Sequence, residues 1–182
     1  MKDSLQNMLK KQFLIVYFIE QKLQIVNFIK EGFDNNKPIL IDNSFLHFTA
    51  HIYYRSIIVD LCALFGSPNK INKNSLWVIE KDFKSFFETE IFETIKDWLS
   101  KSETDIKIIK NLRDKEIAHY DFIITESISF NFNNLYEINK LFSIAKKIIC
   151  YYGSSFNENI SIGFDLGNIS DELYSLQDLL ML

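Results

Sequence analysis

The sequence predicts an all-α fold, a bundle of about five to six helices, and three observations carry that prediction. Apolar residues recur at three- to four-residue intervals along most of the chain. Only 5 Gly and 2 Pro occur in 182 residues, too few to punctuate a sheet-rich fold. Apolar residues make up 47% and aromatics 15%, which is ample for one core of this size.

The first helix is expected over about residues 3–31, where Leu5, Leu9, Val16, Leu23 and Val26 recur on one side. Between Phe13 and Ile19 it is apolar all round, so it must be covered on every side, by its own domain or by a partner subunit. Gly32 and the Asp34–Pro38 cluster should end it. Asn43 or Ser44 can cap a second helix running to Phe65, before Gly66-Ser-Pro68 and an Asn/Lys-rich loop. Helix resumes over Leu76–Leu99 with a break near Phe87–Glu88, Trp77 and Trp98 serving as anchors. A further helix from about Thr104 places Ile106, Ile109 and Leu112 on one face. The alternating, β-branched stretch at 121–133 reads as a short extended or irregular connection, and 158–165 as a loop with β-like character. Between them Asn133 or Asn134 caps a helix to about Tyr152, and Ser170 starts a last short helix. With no repeat or linker, residues 1–182 read as a single domain.

A net charge of −4 gives no global basic footprint for nucleic acid, so any such contact must come from a local patch. Cys62 and Cys150 sit in apolar runs without metal-like spacing and read as buried free thiols. The run Phe13–Ile19 is too short to span a bilayer and lacks a cleavage site, so a cytoplasmic protein without membrane contact is expected. The same run is the reason to expect a homodimer.

All three histidines and both arginines fall in two places. His47, His51 and Arg55 lie at four-residue steps on one helix face. Two histidines so spaced could reach one metal, but no acid or cysteine completes a set, and this weak alternative ranks below packing. The second place is "RDKEIAH", residues 113–119, in which Arg113 is followed at once by Asp114 and then by His119. Lys107, Lys110, Arg113 and Lys115 make a local basic strip there.

On these residues the chain resembles the HEPN domain superfamily, small helical bundles whose signature is an Arg, four to six residues, then a His, with a polar residue after the Arg. "LRDKEIAHYD" and the earlier "YYRSIIVDLCALF" look similar to the abortive-infection U-type branch. The resemblance covers roughly residues 1–155 and leaves a C-terminal extension, 156–182, unplaced. It implies an HEPN-like bundle and a metal-independent endoribonuclease of a phage-defence or toxin–antitoxin system, with no cofactor. The partners it implies are an RNA substrate, a second copy of the chain, and an antitoxin protein where the system has one. In such enzymes the site lies at a dimer cleft where two motifs face each other. His119 would be the general acid or base, Arg113 would bind phosphate, and Asp114 would orient one of them. Lys110, Lys115, Tyr120 and Arg55 are the substrate-binding candidates.

The residue chemistry suits that role. An imidazole with a pKa near ~6.5 can take a 2′-hydroxyl proton at neutral pH, and a guanidinium fork matches a phosphorane gathering charge. Geometry resists it, since six residues of regular helix turn about 600° and leave Arg113 and His119 about 120° apart. The competing reading is a non-catalytic bundle that binds RNA, nucleotide or protein. In it His119 merely complements a helix C-terminus and Arg113 pairs with Asp114, Glu116 or another helix. Relatives in toxin–antitoxin pairs carry a Tyr two residues after the His as a target of nucleotide modification. Here Tyr120 adjoins the His and Phe122 holds that position, so the sequence departs from that pattern.

Overall fold

The structure is a computed structural model that describes residues 2–35, 43–67, 73–114 and 134–155. The described residues are 89% helical and contain no strand, as an all-α bundle requires. The helices are α1 (Lys2–Asp34), α2 (Ser44–Phe65), α3 (Trp77–Phe83), α4 (Thr89–Ser100), α5 (Glu103–Leu112) and α6 (Leu135–Ser155). A single 3₁₀ turn, Lys84–Phe86, follows α3. The extended connections expected at 121–133 and near 158–165, and the short helix from Ser170, lie outside the described residues.

α1 is the spine. Its buried positions, Leu5, Leu9, Gln12, Val16, Ile19, Leu23, Val26 and Ile29, step by four and three, the spacing that keeps one seam facing a neighbour along a helix about 50 Å long. Gly32, read as a stop, is instead buried inside the helix, which runs on to Asp34. α1 lies against α2 and α6. Phe33 meets His47, Lys22 reaches Ser56 and Asp60 at 2.7 Å each, and Gln12 donates to the Ser75 carbonyl at 2.9 Å. Those contacts pair rising numbers on α2 with falling numbers on α1, so the two helices are antiparallel. Lys146 of α6 pairs with Glu20 at 2.8 Å on another side of α1.

The caps act locally. Asn43 Oδ1 accepts from the backbone N–H of Phe45 and of Leu46, both at 3.1 Å, an arrangement worth about 1 kcal/mol. Leu76 N–H donates to Leu64 O at 2.9 Å and Ser75 Oγ to Gly66 O, turning the chain from α2 into α3. The break between α3 and α4 falls at Phe87–Glu88, as the sequence suggests, and Phe87 is held by Phe92 and Tyr152 at ring separations of 5.9 and 5.1 Å. Asn134 adopts φ 64°, a left-handed conformation that Asn tolerates better than most residues, and its carbonyl accepts the Ile138 N–H of α6. One core draws on all six helices, with Ile57, Ile58, Leu61, Ile79, Ile95, Ile109, Ile148 and Tyr152 among its members.

One expectation about burial is corrected: Cys62 is buried, but Cys150 is exposed on α6. Of the Phe13–Ile19 run only Val16 and Ile19 are buried, while Leu14 and Phe18 face outward, so a single chain does not cover this helix on every side. Trp98 is an anchor of a different kind from a core residue. Its ring lies 5.3 Å from that of Tyr151 and beneath the Lys147 ammonium at 3.8 Å.

Candidate functional site

α5 delivers the candidate site, and three contacts fix it. Ile109 enters the core. Asp105, on the preceding turn, is almost buried and pairs with Lys140 of α6 at 2.7 Å. Ser102, at the start of the helix, donates back to Trp98 O at 2.8 Å. α5 packs against both α2 and α6.

At that end the helix widens. Arg113 and Asp114 follow α5 in a π-helical turn, and the Arg113 N–H is shared between the carbonyls of Ile109 and Lys110. Such turns are rare and concentrate at functional sites. The Ile109 carbonyl also accepts the Cys62 thiol of α2 at 3.6 Å, which ties α2 to α5 one turn before Arg113.

The side chain of Arg113 is fixed by its neighbour. Its Nε and Nη2 donate to the same oxygen of Asp114, Oδ1, at 2.8 and 2.6 Å. These bonds raise the guanidinium pKa above its ordinary value, so Arg113 is a permanent cation. Nη1 and the second Asp114 oxygen remain outside this pair. Below lies Cys62, whose thiol burial pushes up to about 11, with the charges of Arg113 and Lys110 opposing that rise. The thiol is therefore neutral at physiological pH and acts as an inert floor. Nothing in the spacing could reveal it, because Cys62 and Ile109 are 47 residues apart.

The structure thus brings together Lys110, Arg113, Asp114 and Cys62, with Lys107 exposed one turn earlier. Arg55 is half-buried on α2, about 10 Å of helix rise before Cys62 and on nearly the same face. His119, Lys115 and Tyr120 lie outside the described residues. His47 and His51 sit on another part of α2, where His47 packs 4.4 Å from the Phe33 ring. Among the described residues no group of three or more His, Cys, Asp or Glu side chains could hold a metal. The arrangement offers a fixed, exposed guanidinium, a carboxylate that aligns it, and lysines that extend the positive strip.

No protein-family model, no curated protein and no solved structure matches this chain.

Proposed function

We propose that this chain is a metal-independent endoribonuclease of a phage-defence or toxin–antitoxin system, working in the cytoplasm as a homodimer through Arg113, Asp114 and His119 at a dimer cleft. The observation that carries the reading is the Arg113–Asp114 pair, a guanidinium aligned by the very next residue at a widened, solvent-facing helix end. In the reaction His119 takes the 2′-hydroxyl proton, the 2′-oxygen attacks the adjacent phosphorus, and the bond to the 5′-oxygen breaks. The leaving oxygen regains a proton, and a 2′,3′-cyclic phosphate remains. Arg113 supplies donors to the phosphoryl oxygens as charge gathers on them, and Asp114 keeps its fork from wandering. Lys110, Lys115, Tyr120 and Arg55 would contact RNA, and an antitoxin protein would restrain the enzyme.

A second reading, a binding module without catalysis, has its own support. Asp114 already occupies two of the Arg113 donors, and the chain is acidic overall.

The two are separated by assaying RNA cleavage and RNA retention side by side in chelator. His119→Ala should lose about 10²–10⁴-fold in rate and Arg113→Lys about 10²–10³-fold, with RNA retention kept in both. If wild type and both variants retain RNA equally and none cleaves it, the chain is a binding module. Cleavage that vanishes with chelator and returns with Zn²⁺ would move the chemistry to the His47/His51 face.

A further inference from the structure

α6 presents a face that the bundle leaves outside. Its exposed positions Tyr136, Lys140, Ser143 and Lys147 step by four, three and four residues and so form one stripe along the helix. Tyr136 is 75% exposed, more than any other large hydrophobic side chain among the described residues. No acid lies on the stripe. The one acid of α6, Glu137, sits about 100° round the axis from Tyr136 and is half-buried. In a chain of net charge −4 this helix carries Lys140, Lys146 and Lys147 against that single carboxylate. Half-buried Trp98 of α4 closes the far end of the stripe. The Lys147 ammonium lies 3.8 Å from the centre of its ring, and Tyr151, one turn further along α6, stands 5.3 Å away at 56°.

The geometry points to this stripe as a track for an unpaired RNA strand, with bases stacked on Tyr136 and Trp98 and phosphates held between them by Lys140 and Lys147. For its ligand the track rests on the ribonuclease reading, and its residues lie outside the Arg113–His119 motif. Aromatic, lysine, lysine, aromatic over about 16 Å of helix is the composition of a groove that follows a single strand. A ring can stack only on a base whose face is open, and a duplex hides those faces. Lys140 pairs with Asp105 of α5 at 2.7 Å, a bond that raises its pKa and fixes it as a cation, and 43% of its side chain stays exposed. At Trp98 an incoming base displaces the Lys147 ammonium, which turns to the adjoining phosphate. Stacking wins that exchange, because an exposed ammonium holds a ring more weakly than a base does.

The stripe leads toward the candidate site. Lys140 meets Asp105 and Lys147 meets Trp98, so numbers rise on α6 as they fall from α5 back to α4, and α6 runs antiparallel to α5. The Tyr136 end therefore points the same way as the end of α5 that carries Arg113. Tyr136 is four residues before Lys140 and Arg113 eight after Asp105, which sets Arg113 about 6 Å beyond Tyr136 along the common direction. Lys107 lies on the exposed side of α5 between them. The exposed positions of α4, by contrast, include Glu90, Glu93 and Asp97, so the positive strip does not continue along that helix.

Binding is read apart from cleavage with a 2′-O-methyl oligouridylate of about 12 residues, whose blocked hydroxyl cannot attack the phosphate. Trp77→Phe leaves Trp98 as the only tryptophan. In that protein the strand should quench the fluorescence of Trp98 along the same curve that anisotropy gives for binding, and annealing it to its complement should abolish the quenching. Tyr136→Ala should bind about 5–100-fold more weakly, and Lys147→Ala should lower the log–log salt slope by about 0.7, with the helical circular dichroism unchanged in both. A strand that fails to bind, binding without quenching of Trp98, or both variants binding as wild type does overturns the track. Failure of the ribonuclease reading looks different: the strand binds and quenches as expected, while unmodified RNA is left uncut. Cleavage that depends on His119 but is unchanged in Tyr136→Ala and Lys147→Ala keeps the enzyme and removes the track.

Discussion

Replacing Asp114 by alanine separates two roles that its contact with Arg113 permits. Both Arg113 bonds go to Oδ1, at 2.8 and 2.6 Å, and the two side chains are 43% and 60% exposed. An ion pair that exposed contributes about 0–1 kcal/mol to stability, so the variant should melt within about 4 °C of wild type. Its effect on turnover should be larger. A fork free to rotate no longer meets the phosphoryl oxygens in one geometry, and small misplacements of this kind cost on the order of 10–100-fold. RNA affinity should move the other way. Removing a carboxylate beside Arg113 frees its charge for a phosphate, so KM should hold or fall and the log–log salt slope of binding should steepen by about 0.7. Steady-state cleavage of a fluorogenic RNA, with binding measured at several salt concentrations, reads all three quantities. A variant that melts normally and turns over as fast as wild type, or faster, would refute the orienting role. Asp114 would then mask Arg113 rather than align it.

Further predictions concern the scaffold. Gln12 is wholly buried, donates to a Ser75 carbonyl that Val78 N–H also bonds, and has an Oε1 with no hydrogen-bond partner among the described residues. Urea unfolding should therefore place Gln12→Leu within about 1 kcal/mol of wild type, because relief of that oxygen offsets the lost bond, and Gln12→Ala about 2–4 kcal/mol lower. In the folded protein a thiol reagent should modify Cys150 alone, with Cys62 reacting only in denaturant. Burial raises the Cys62 pKa from 9.0 to about 11, so below pH 9 folded and unfolded chains both hold the proton and nothing is lost. As pH climbs toward 11 the unfolded chain releases it first. Stability should fall there by about 2–3 kcal/mol, and Cys62→Ala should flatten that slope.

The fold was legible where local chemistry decides it. Asn43 caps α2 and Phe65 ends it, as the residue types require, and the break at Phe87–Glu88 follows from a change of pattern. Gly32 misleads, because glycine stops a helix by turning left-handed, and this one has no positive φ and lies buried within α1. Cys150 misleads for a related reason, since the apolar residues around it serve the other face of α6. The Arg113–Asp114 contact joins adjacent residues and could be anticipated. The Cys62 floor comes from packing between α2 and α5, which no local pattern encodes. The exposure of Phe45, Phe48, Ile52 and Val59 on α2 was not legible, because the opposite face is equally apolar and periodicity does not say which of two such faces turns inward.

The most direct test of the central claim is the chemistry of the RNA ends left by the purified protein in excess chelator. Proton abstraction by His119 and phosphate binding by Arg113 predict fragments ending in 2′,3′-cyclic phosphate, formed without divalent metal and reduced about 10²–10⁴-fold in His119→Ala. Ends bearing a 5′-phosphate and a 3′-hydroxyl, or equal cleavage by His119→Ala, would contradict it.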